Sequence, residues 1–258
     1  MPAKRIIPCL DVKNGQTVKG INFENLKYAG NPVQLAAKYY KDGADELVFL
    51  DITASIEGRK SAADIAEQTA KQVFIPFTFG GGIRTIEDIR TLLTAGADKT
   101  AVNSAAVKNP DFINQAANYF GSQCITAAID AKKIDNDYYV FINGGRINSG
   151  KRLIDWVKEV QERGAGEILL TSMDADGTQN GFDIQMTKLV CENANVPVIA
   201  SGGAGAEAEH FVQVFKQAGA DAALAASIFH YDTLPVPVLK QKLLNRNIEI
   251  RREYAQMQ

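Results

Sequence analysis

Short apolar segments alternate with amphipathic helical segments along the chain. Segments such as residues 47–50 are apolar at every position, which is typical of parallel strands covered on both faces of a sheet. Between them, apolar residues recur every three or four positions, which indicates helices. The pattern predicts strands at residues 5–11, 46–51, 74–79, 98–103, 124–130, 167–172, 196–201 and 222–226. It predicts helices at residues 33–41, 86–94, 111–119, 153–163, 184–193 and 210–217.

Eight strand–helix units in 258 residues predict one α/β domain, residues 1–258, folded as a closed (β/α)8 TIM barrel. An open doubly wound sheet is the alternative fold. Two connections are longer than a minimal loop. Residues 12–30 hold three glycines and are predicted to form a mobile lid. The alternating apolar positions within residues 134–150 predict an extra hairpin after the fifth strand.

The two halves of the chain repeat each other. Three pairs of residues recur at nearly one spacing, namely Asp11 and Asp130 (119 residues apart), Gly81 and Gly202 (121 apart), and Asp98 and Asp221 (123 apart). A near-constant spacing indicates a duplicated unit, with half-barrels at about residues 1–122 and 123–258. The repeat favours the closed barrel over the open sheet, because two four-strand halves complete a ring.

Two aspartates at strand ends are the first candidates for chemistry, because active sites in such barrels lie at the C-terminal ends of the strands. Asp11 and Asp130 end the first and fifth predicted strands, half a barrel turn apart. Two carboxyl groups across one opening can act as general base and general acid on opposite faces of a substrate. A lone aspartate after a strand commonly caps a turn or helix, but a symmetry-related pair favours catalysis. Asp51 and Asp176 fit turn capping and substrate contact equally well.

Glycine-rich turns follow the third and seventh predicted strands. Residues 80–82 lead toward a helix, and the next strand ends in Asn103-Ser104. The second half repeats this arrangement with residues 202–203 and with Ala226-Ser227. Glycine lets the backbone approach a ligand, and the N–H groups at a helix start attract phosphate. We therefore predict two well-separated phosphates on one substrate, with tight strand–helix turns as the alternative interpretation.

The composition excludes several other classes of function. A net charge of −2 gives no indication of a nucleic acid or an anionic membrane as a partner. No apolar run approaches the roughly 20 residues of a membrane span, and the N-terminus leads directly into a strand without the pattern of a signal peptide. The three cysteines lack metal-binding spacing, and no metal or cofactor is expected. These features predict a protein of the reducing cytoplasm.

Charged residues at four predicted strand starts are unexpected in a barrel and occupy its N-terminal face. They are Arg5, Glu46, Lys99 and Glu167. They fit either a salt-bridged layer that closes the bottom of the barrel or solvated strand edges, and the residues alone favour the second interpretation. Lys19, in the glycine-containing segment 12–30, is equally open between phosphate contact and solvation.

These residues together resemble one family, the cyclase (synthase) subunits of imidazole glycerol phosphate synthase from histidine biosynthesis. The resemblance runs from residue 3 to about residue 240. The stretches that carry it are residues 3–11 (AKRIIPCLD), 18–20 (VKG), 22–26 (NFENL), 45–55 (DELVFLDITAS), 80–83 (GGGI), 121–123 (GSQ), 130–132 (DAK), 163–169 (RGAGEIL), 176–178 (DGT) and 200–205 (ASGGAG).

The resemblance implies a barrel that converts a bisphosphorylated formimino-aminoimidazole carboxamide ribonucleotide and ammonia to imidazole glycerol phosphate and aminoimidazole carboxamide ribonucleotide. Asp11 and Asp130 match the catalytic acid/base pair of the family. Positions lining the substrate site are matched by Lys19, Asp51, Asn103, Thr171, Asp176 and Ser201. Phosphate-binding positions are matched by Gly82, Ser104, Gly177, Gly203 and Ser227, the last preceded by Ala226.

The resemblance also implies a partner subunit. The four charged strand starts match a gate at the barrel base through which ammonia enters from a glutaminase, and Asp98 would lie in the interface with it. This reverses the interpretation of those charges as solvated. A glutaminase domain does not fit within 258 residues beside a barrel, so a separate chain that docks on the N-terminal face, giving a heterodimer, is expected.

Two other functions compete with the ammonia-dependent cyclase. One is the sister aldose–ketose isomerase of the same pathway, which shares the half-barrel repeat and a bisphosphate ligand. Its first-strand region differs from the sequence at residues 9–13 and 19–23 of this chain. The other is a non-catalytic barrel that binds a phosphorylated ligand and docks a partner.

Overall fold

The computed structural model describes residues 3–21, 24–52 and 56–251, of which residues 19–21, 24–27, 29 and 56–60 are described by their backbone alone. The strands are β1 (Arg5–Lys13), β2 (Gln16–Ile21), β3 (Glu24–Gly30), β4 (Leu47–Asp51), β5 (Phe77–Gly80), β6 (Lys99–Val102), β7 (Ile125–Ile134), β8 (Asp137–Ile142), β9 (Ile147–Arg152), β10 (Glu167–Ser172), β11 (Val198–Ser201) and β12 (Ala222–Ala225). The helices are α1 (Pro32–Lys41), α2 (Ile56–Ala70), α3 (Ile86–Thr94), α4 (Ser104–Lys108), α5 (Asp111–Phe120), α6 (Leu153–Glu162), α7 (Ile184–Cys191), α8 (Ala208–Lys216), α9 (Ser227–His230) and α10 (Val236–Leu244), and a short 3₁₀ helix spans Ser122–Cys124.

Eight parallel strands close into a barrel, in the order β1, β4, β5, β6, β7, β10, β11, β12 and back to β1. The ring closes where Arg5 of β1 pairs with Ala222 of β12. The predicted (β/α)8 fold is confirmed, and the open doubly wound sheet is wrong. Strand β5 begins at Phe77 rather than at residue 74, because Pro76 has no backbone N–H to donate to a neighbouring strand.

The segment 12–30 is a β-hairpin rather than an irregular loop, and its strand content was not predicted. Strand β2 pairs antiparallel with β1, with Val18 opposite Asp11, and β3 pairs with β2. Asn14 and Gly15 turn the chain with φ of 50° and 75°. An Asn-Gly pair with positive φ at both residues is the preferred two-residue hairpin turn, so the sequence did carry the signal. Residues 22–23 of this predicted lid lie outside the described residues.

The second long connection is the hairpin that the sequence predicts. Strand β8 pairs antiparallel with the extension of β7, placing Phe141 opposite Asp130, and β9 pairs with β8. Its tip consists of Asn143, Gly144 and Gly145, all with positive φ. The hairpin thereby extends from the C-terminal end of the barrel beside Asp130. Across the described ranges, no helix is both long enough and apolar enough to cross a membrane.

Aspartates that precede strands tie neighbouring strands together at the N-terminal face. The side chain of Asp45 accepts a hydrogen bond from Ile6 N at 2.8 Å, that of Asp98 from Phe77 N at 2.9 Å, and that of Asp221 from Val198 N at 3.0 Å. Each bond provides an acceptor for a backbone N–H near the start of a strand, which would otherwise need water as its partner. Asp98 and Asp221, which are paired in the sequence repeat, make the same kind of hydrogen bond to the preceding barrel strand.

A buried ion pair joins the last helix to this face. Lys240 Nζ of α10 lies 2.8 Å from Asp45 Oδ1, and the two residues are only 5% and 4% exposed. Because Asp45 also holds Ile6 N, the pair links α10, β1 and the start of β4. Removing one member of a buried ion pair leaves the other charge without compensation, which is strongly destabilising.

We predict that Lys240→Met lowers the free energy of unfolding by about 3 kcal/mol, since, among the described residues, buried Asp45 then keeps only the exposed cation of Arg251, 3.8 Å away. Urea unfolding at neutral pH measures this change. Lys242→Met is the matched control, because Lys242 lies on the same helix but is exposed, and its effect should stay within about 0.5 kcal/mol. Equal effects of the two variants would show that the buried pair does not hold α10 in place.

Candidate active site

A cavity of about 340 Å³ opens at the C-terminal end of the barrel. It is lined by Cys9, Asp11, Leu50, Asp130, Lys132, Gly144, Gly145, Thr171, Met173, Asp176, Gly177, Gln179, Ser201, Gly202, Gly203, Ala204, Leu224, Ala225, Ala226 and Ser227. These residues come from the ends of β1, β4, β7, β10, β11 and β12, from the turns that follow them and from the tip of the β8–β9 hairpin. A concave site that mixes apolar walls with converging polar groups is typical of small-molecule binding.

The cavity brings together Asp11 and Asp130, which were expected at strand ends but lie within β1 and β7, because both strands continue into hairpins. Asp11 lies on β1, with β4 on one side and β2 on the other, and it is 6% exposed. The Cys9 thiol donates to Asp11 Oδ1 at 3.8 Å, from two residues earlier on the same strand. Asp130 occupies the corresponding place on β7, next to Thr171 of β10. The closed ring is what allows two carboxyl groups 119 residues apart in sequence to face one volume.

The environment of Asp130 makes its carboxyl group a weaker acid than usual. Burial raises the pKa of Asp130 to about 6, and the neighbouring carboxylate of Asp176 adds to the rise. A hydrogen bond from Asn103 Nδ2 to Asp130 Oδ2, 2.9 Å long, opposes it. A carboxyl group with a pKa near 6 can both accept and release a proton close to neutral pH.

The second glycine-rich turn lies directly on the cavity. Gly202, Gly203 and Ser227 line it, together with Asp176 and Gly177 of the turn after β10. Gly203 has φ of 94°, and a Cβ atom there would lie 2.1 Å from the carbonyl oxygen of Gly181. No larger residue fits this position without moving the chain. Thr171 and Ser201, which are direct partners on β10 and β11, add two hydroxyl groups to the same wall.

The first glycine-rich turn has the same local packing but lies outside the lining of this cavity. A Cβ on Gly81 would lie 2.0 Å from the carbonyl oxygen of Asp51, just as a Cβ on Gly202 would lie 2.7 Å from that of Ser172. Gly82 and Ser104, both predicted to bind phosphate, are not among its lining residues.

The hydroxyl of Ser104 is engaged by the β8–β9 hairpin. Its Oγ accepts a hydrogen bond from Asn143 N at 2.9 Å, so the hairpin tip lies against the start of α4. Asp51, predicted to contact substrate, borders a second cavity of about 250 Å³ between α2 and α3, which Gly81 also lines. The side chain of Lys19 lies outside the part of the chain that the structure describes, although its backbone belongs to β2.

Several lining residues were not predicted as site residues. Lys132 lies two positions after Asp130 on β7 and so on the same face of the strand, a periodicity that could have identified it. Cys9 has the same relation to Asp11. Met173, Gln179 and the hairpin glycines reach the cavity from turns, where no strand periodicity indicates which way a residue faces.

The four charged strand starts form a closed ring at the opposite end of the barrel. Arg5 Nη1 lies 2.8 Å from Glu46 Oε1 and 2.8 Å from Glu167 Oε1. Lys99 Nζ lies 3.2 Å from Glu46 Oε2 and 2.9 Å from Glu167 Oε2. Both glutamates are buried, so these charges form a salt-bridged layer and are not solvated strand edges. Asp98, next to Lys99, is exposed on this face while it holds Phe77 N.

Comparison with known proteins gives consistent results. A family model described as "Histidine biosynthesis protein" matches residues 5–235. The chain is 60% identical over 251 residues to the imidazole glycerol phosphate synthase subunit HisF of Natranaerobius thermophilus, covering 97% of this chain and all of that protein. The subunits of the same name from Bacillus cereus and Hydrogenobaculum sp. are each 56% identical over 252 residues, with the same coverage.

We predict that Asp130→Asn stabilises the fold, and more so at higher pH. The folded-state pKa of about 6 lies above the unfolded value of about 3.9, so the folded state binds the extra proton between these values. The stability that Asp130 contributes is therefore present at low pH and lost as pH rises through 6. The gap in unfolding free energy between Asp130→Asn and the unmodified chain should widen by about 1 kcal/mol from pH 5 to pH 7.5. Urea titrations at both pH values measure it, and a gap that narrows would contradict the raised pKa.

Proposed function

Because the chain belongs to the histidine biosynthesis protein family, and within it to the HisF subunits of the enzyme imidazole glycerol phosphate synthase, we propose that Asp11 and Asp130 carry out its cyclase reaction by general acid/base catalysis. The substrates are a bisphosphorylated formimino-aminoimidazole carboxamide ribonucleotide and ammonia supplied by a glutaminase subunit. The products are imidazole glycerol phosphate and aminoimidazole carboxamide ribonucleotide.

One observation carries this proposal, namely that the carboxyl groups of β1 and β7 face a single cavity. Forming a ring with ammonia and cleaving a carbon–nitrogen bond both require proton transfers at separate atoms of one substrate. Two acids on opposite sides of the site supply these transfers without moving the ligand. The pKa of about 6 at Asp130 supports a role in either direction of transfer near neutral pH.

The polar groups around the acids support the binding of a phosphorylated ligand. Thr171, Asp176 and Ser201 offer hydroxyl and carboxylate contacts to the sugar and base portions. Gly177, Gly203 and Ser227 line the cavity, and in this proposal they bind one phosphate, since a glycine without a side chain lets a ligand approach the backbone N–H groups. Gly82 and Ser104 receive the other phosphate, beyond the hairpin tip. Lys19 and Asp51 are further substrate contacts in this proposal.

The barrel interior supports the delivery of ammonia from the opposite end. The apolar side chains of Ile7, Val48, Leu169, Ile199 and Leu224 pack together inside the ring. Leu224 and the neighbouring Cys9 also reach the cavity. An apolar interior suits neutral ammonia and opposes the passage of ammonium, which would lose its hydration. The charged ring below it acts as the gate, and the glutaminase docks on that face.

The two competing functions fare differently. Identity of 56–60% to subunits named HisF, over the full length of those proteins, favours the cyclase over the sister isomerase. A non-catalytic barrel is excluded only by an activity that depends on the acids.

The cytoplasm is the compartment we propose, and the absence of a disulfide at Cys9, Cys124 and Cys191 is consistent with it.

We predict that Asp11→Asn leaves binding of the bisphosphate substrate nearly intact and removes most turnover with ammonium salts. The amide keeps the size of the side chain but can no longer exchange a proton, and a general acid or base contributes about 10²–10⁴-fold. The measurements are calorimetric binding and a steady-state assay of the purified chain at high pH, without a partner. Asp155→Asn, on the exposed face of α6, is the control and should retain full activity. Undiminished turnover of Asp11→Asn would refute the role of Asp11.

We predict that Lys99→Ala changes glutamine-dependent activity, measured with a glutaminase subunit, more than ammonium-dependent activity. The variant opens the charged ring but leaves the distant cavity intact. The loss of one charged contact corresponds to about a tenfold change in the ratio of the two activities. Asp98→Ala should act in the same direction. Lys158→Ala, exposed on α6, should leave the ratio of the two activities unchanged. Equal effects on both activities would count against docking and entry of ammonia at this face.

A further inference from the structure

Asn103 has one described side-chain hydrogen bond, and it goes to Asp130. Asn103 Nδ2 donates to Asp130 Oδ2 at 2.9 Å. Within the described ranges, Oδ1 at the other end of the same amide is buried and has no hydrogen-bond partner. Asn103 is also not one of the residues that line the cavity. The side chain therefore reaches the site through Asp130.

The repeated halves provide an internal comparison for this contact. Val102, which precedes Asn103, pairs with Ala127 of β7, and Ala225, which precedes Ala226, pairs with Pro8 of β1. The strand register therefore places Asn103 beside Asp130 in the same way as it places Ala226 beside Asp11. The backbones agree as well, with φ and ψ of −126° and −92° at Asn103 and of −123° and −72° at Ala226.

The two halves thus share the backbone and differ in the side chain placed beside each acid. A methyl group at position 226 cannot donate or accept a hydrogen bond, whereas an amide can do both. From this difference we infer that Asn103 is a positioning residue that orients Asp130 and makes its environment differ from that of Asp11. The inference rests on the proposed function, in which Asp130 transfers a proton. It assigns Asn103 to the orientation of Asp130 and not to direct contact with the substrate.

An amide suits an acid that must exist in two protonation states. Its NH₂ group donates to the carboxylate, and its carbonyl oxygen accepts from the protonated acid after a half-turn of the amide group. Since the described structure gives Oδ1 no other hydrogen bond, no such bond opposes that turn. The same side chain therefore holds the Asp130 carboxyl group in place before and after proton transfer.

Other charged groups around Asp130 set the direction of the expected effect. Asp176, Asp11 and Lys132 all line the same cavity, and Asp176 raises the pKa of Asp130 while the donor at Asn103 lowers it. Losing the amide should move the pKa of Asp130 upward, because the hydrogen bond that the charged carboxylate loses is stronger than the one that the protonated acid loses. The difference in strength between these two hydrogen bonds corresponds to a shift of about one pH unit.

The test compares Asn103→Ala with the unmodified chain in two measurements. Alanine is suitable because Ala226 already adopts the equivalent backbone conformation, and Asn103→Leu serves as a second variant of nearly the original size. The first measurement follows the side-chain carboxyl carbon of Asp130 against pH by ¹³C NMR, assigned with Asp130→Asn. The second is the pH dependence of kcat/KM, with kcat and KM, using ammonium and the bisphosphate substrate.

We expect the Asp130 titration and the matching inflection of kcat/KM to move upward together by about one pH unit. We expect kcat to fall about tenfold while KM changes less than twofold, because the substrate does not touch the amide. Asn114→Leu, which removes an amide bonded to Arg163 on the outside of the barrel, should change neither measurement. An unmoved Asp130 titration, or a loss confined to KM, would overturn the inference.

The two measurements also separate this inference from the proposed function. The NMR titration needs neither substrate nor turnover. A shifted titration in Asn103→Ala alongside an unmodified chain that shows no turnover would contradict the cyclase function while retaining the contact. An active unmodified chain with an unshifted titration in the variant would contradict the role of Asn103 alone.

Discussion

Closure of eight parallel strands into one ring is the constraint on which the site depends. Strand β1 is held by β12 on one side and by β4 on the other, so its C-terminal end must face the same volume as the end of β7. Only that closure places Asp11 and Asp130 around one cavity. The N-terminal face maintains the ring through aspartates that bind neighbouring strand starts and through the Arg5, Glu46, Lys99 and Glu167 layer, which connects four of the eight strands.

Repetition supplies the frame, and a few side chains make its halves different. Gly81 and Gly202 pack against equivalent carbonyl groups, and Asn103 and Ala226 share an unusual backbone conformation. Yet the turn after β11 lines the cavity, whereas the Ser104 hydroxyl in the first half is bound by the hairpin tip. Asp130 likewise has an amide beside it where Asp11 has a methyl group. A symmetric backbone with different side chains beside the two acids suits the proposed reaction, in which Asp11 and Asp130 have different roles in proton transfer.

Much of this arrangement could be predicted from the sequence because it follows from short-range rules. Continuous apolar runs such as residues 47–50 identified buried parallel strands, and the recurring aspartate and glycine positions identified the halves. The Asn14-Gly15 pair favours a two-residue hairpin turn, so the hairpin within the predicted lid segment also follows from a short-range rule. The bond between Asn143 and Ser104 could not be predicted, since it joins two turns 39 residues apart whose relation is fixed only by the folded hairpin.

The most direct test is a crystal structure of the chain bound to the bisphosphorylated ribonucleotide. We expect the ligand to span the 340 Å³ cavity, with its reacting atoms between the carboxyl groups of Asp11 and Asp130. One phosphate should rest on the turn that holds Gly203 and Ser227, and the other on the side of Gly82 and Ser104. A ligand that contacts one acid but not the other, or that binds between α2 and α3, would contradict the joint action of Asp11 and Asp130 on one substrate.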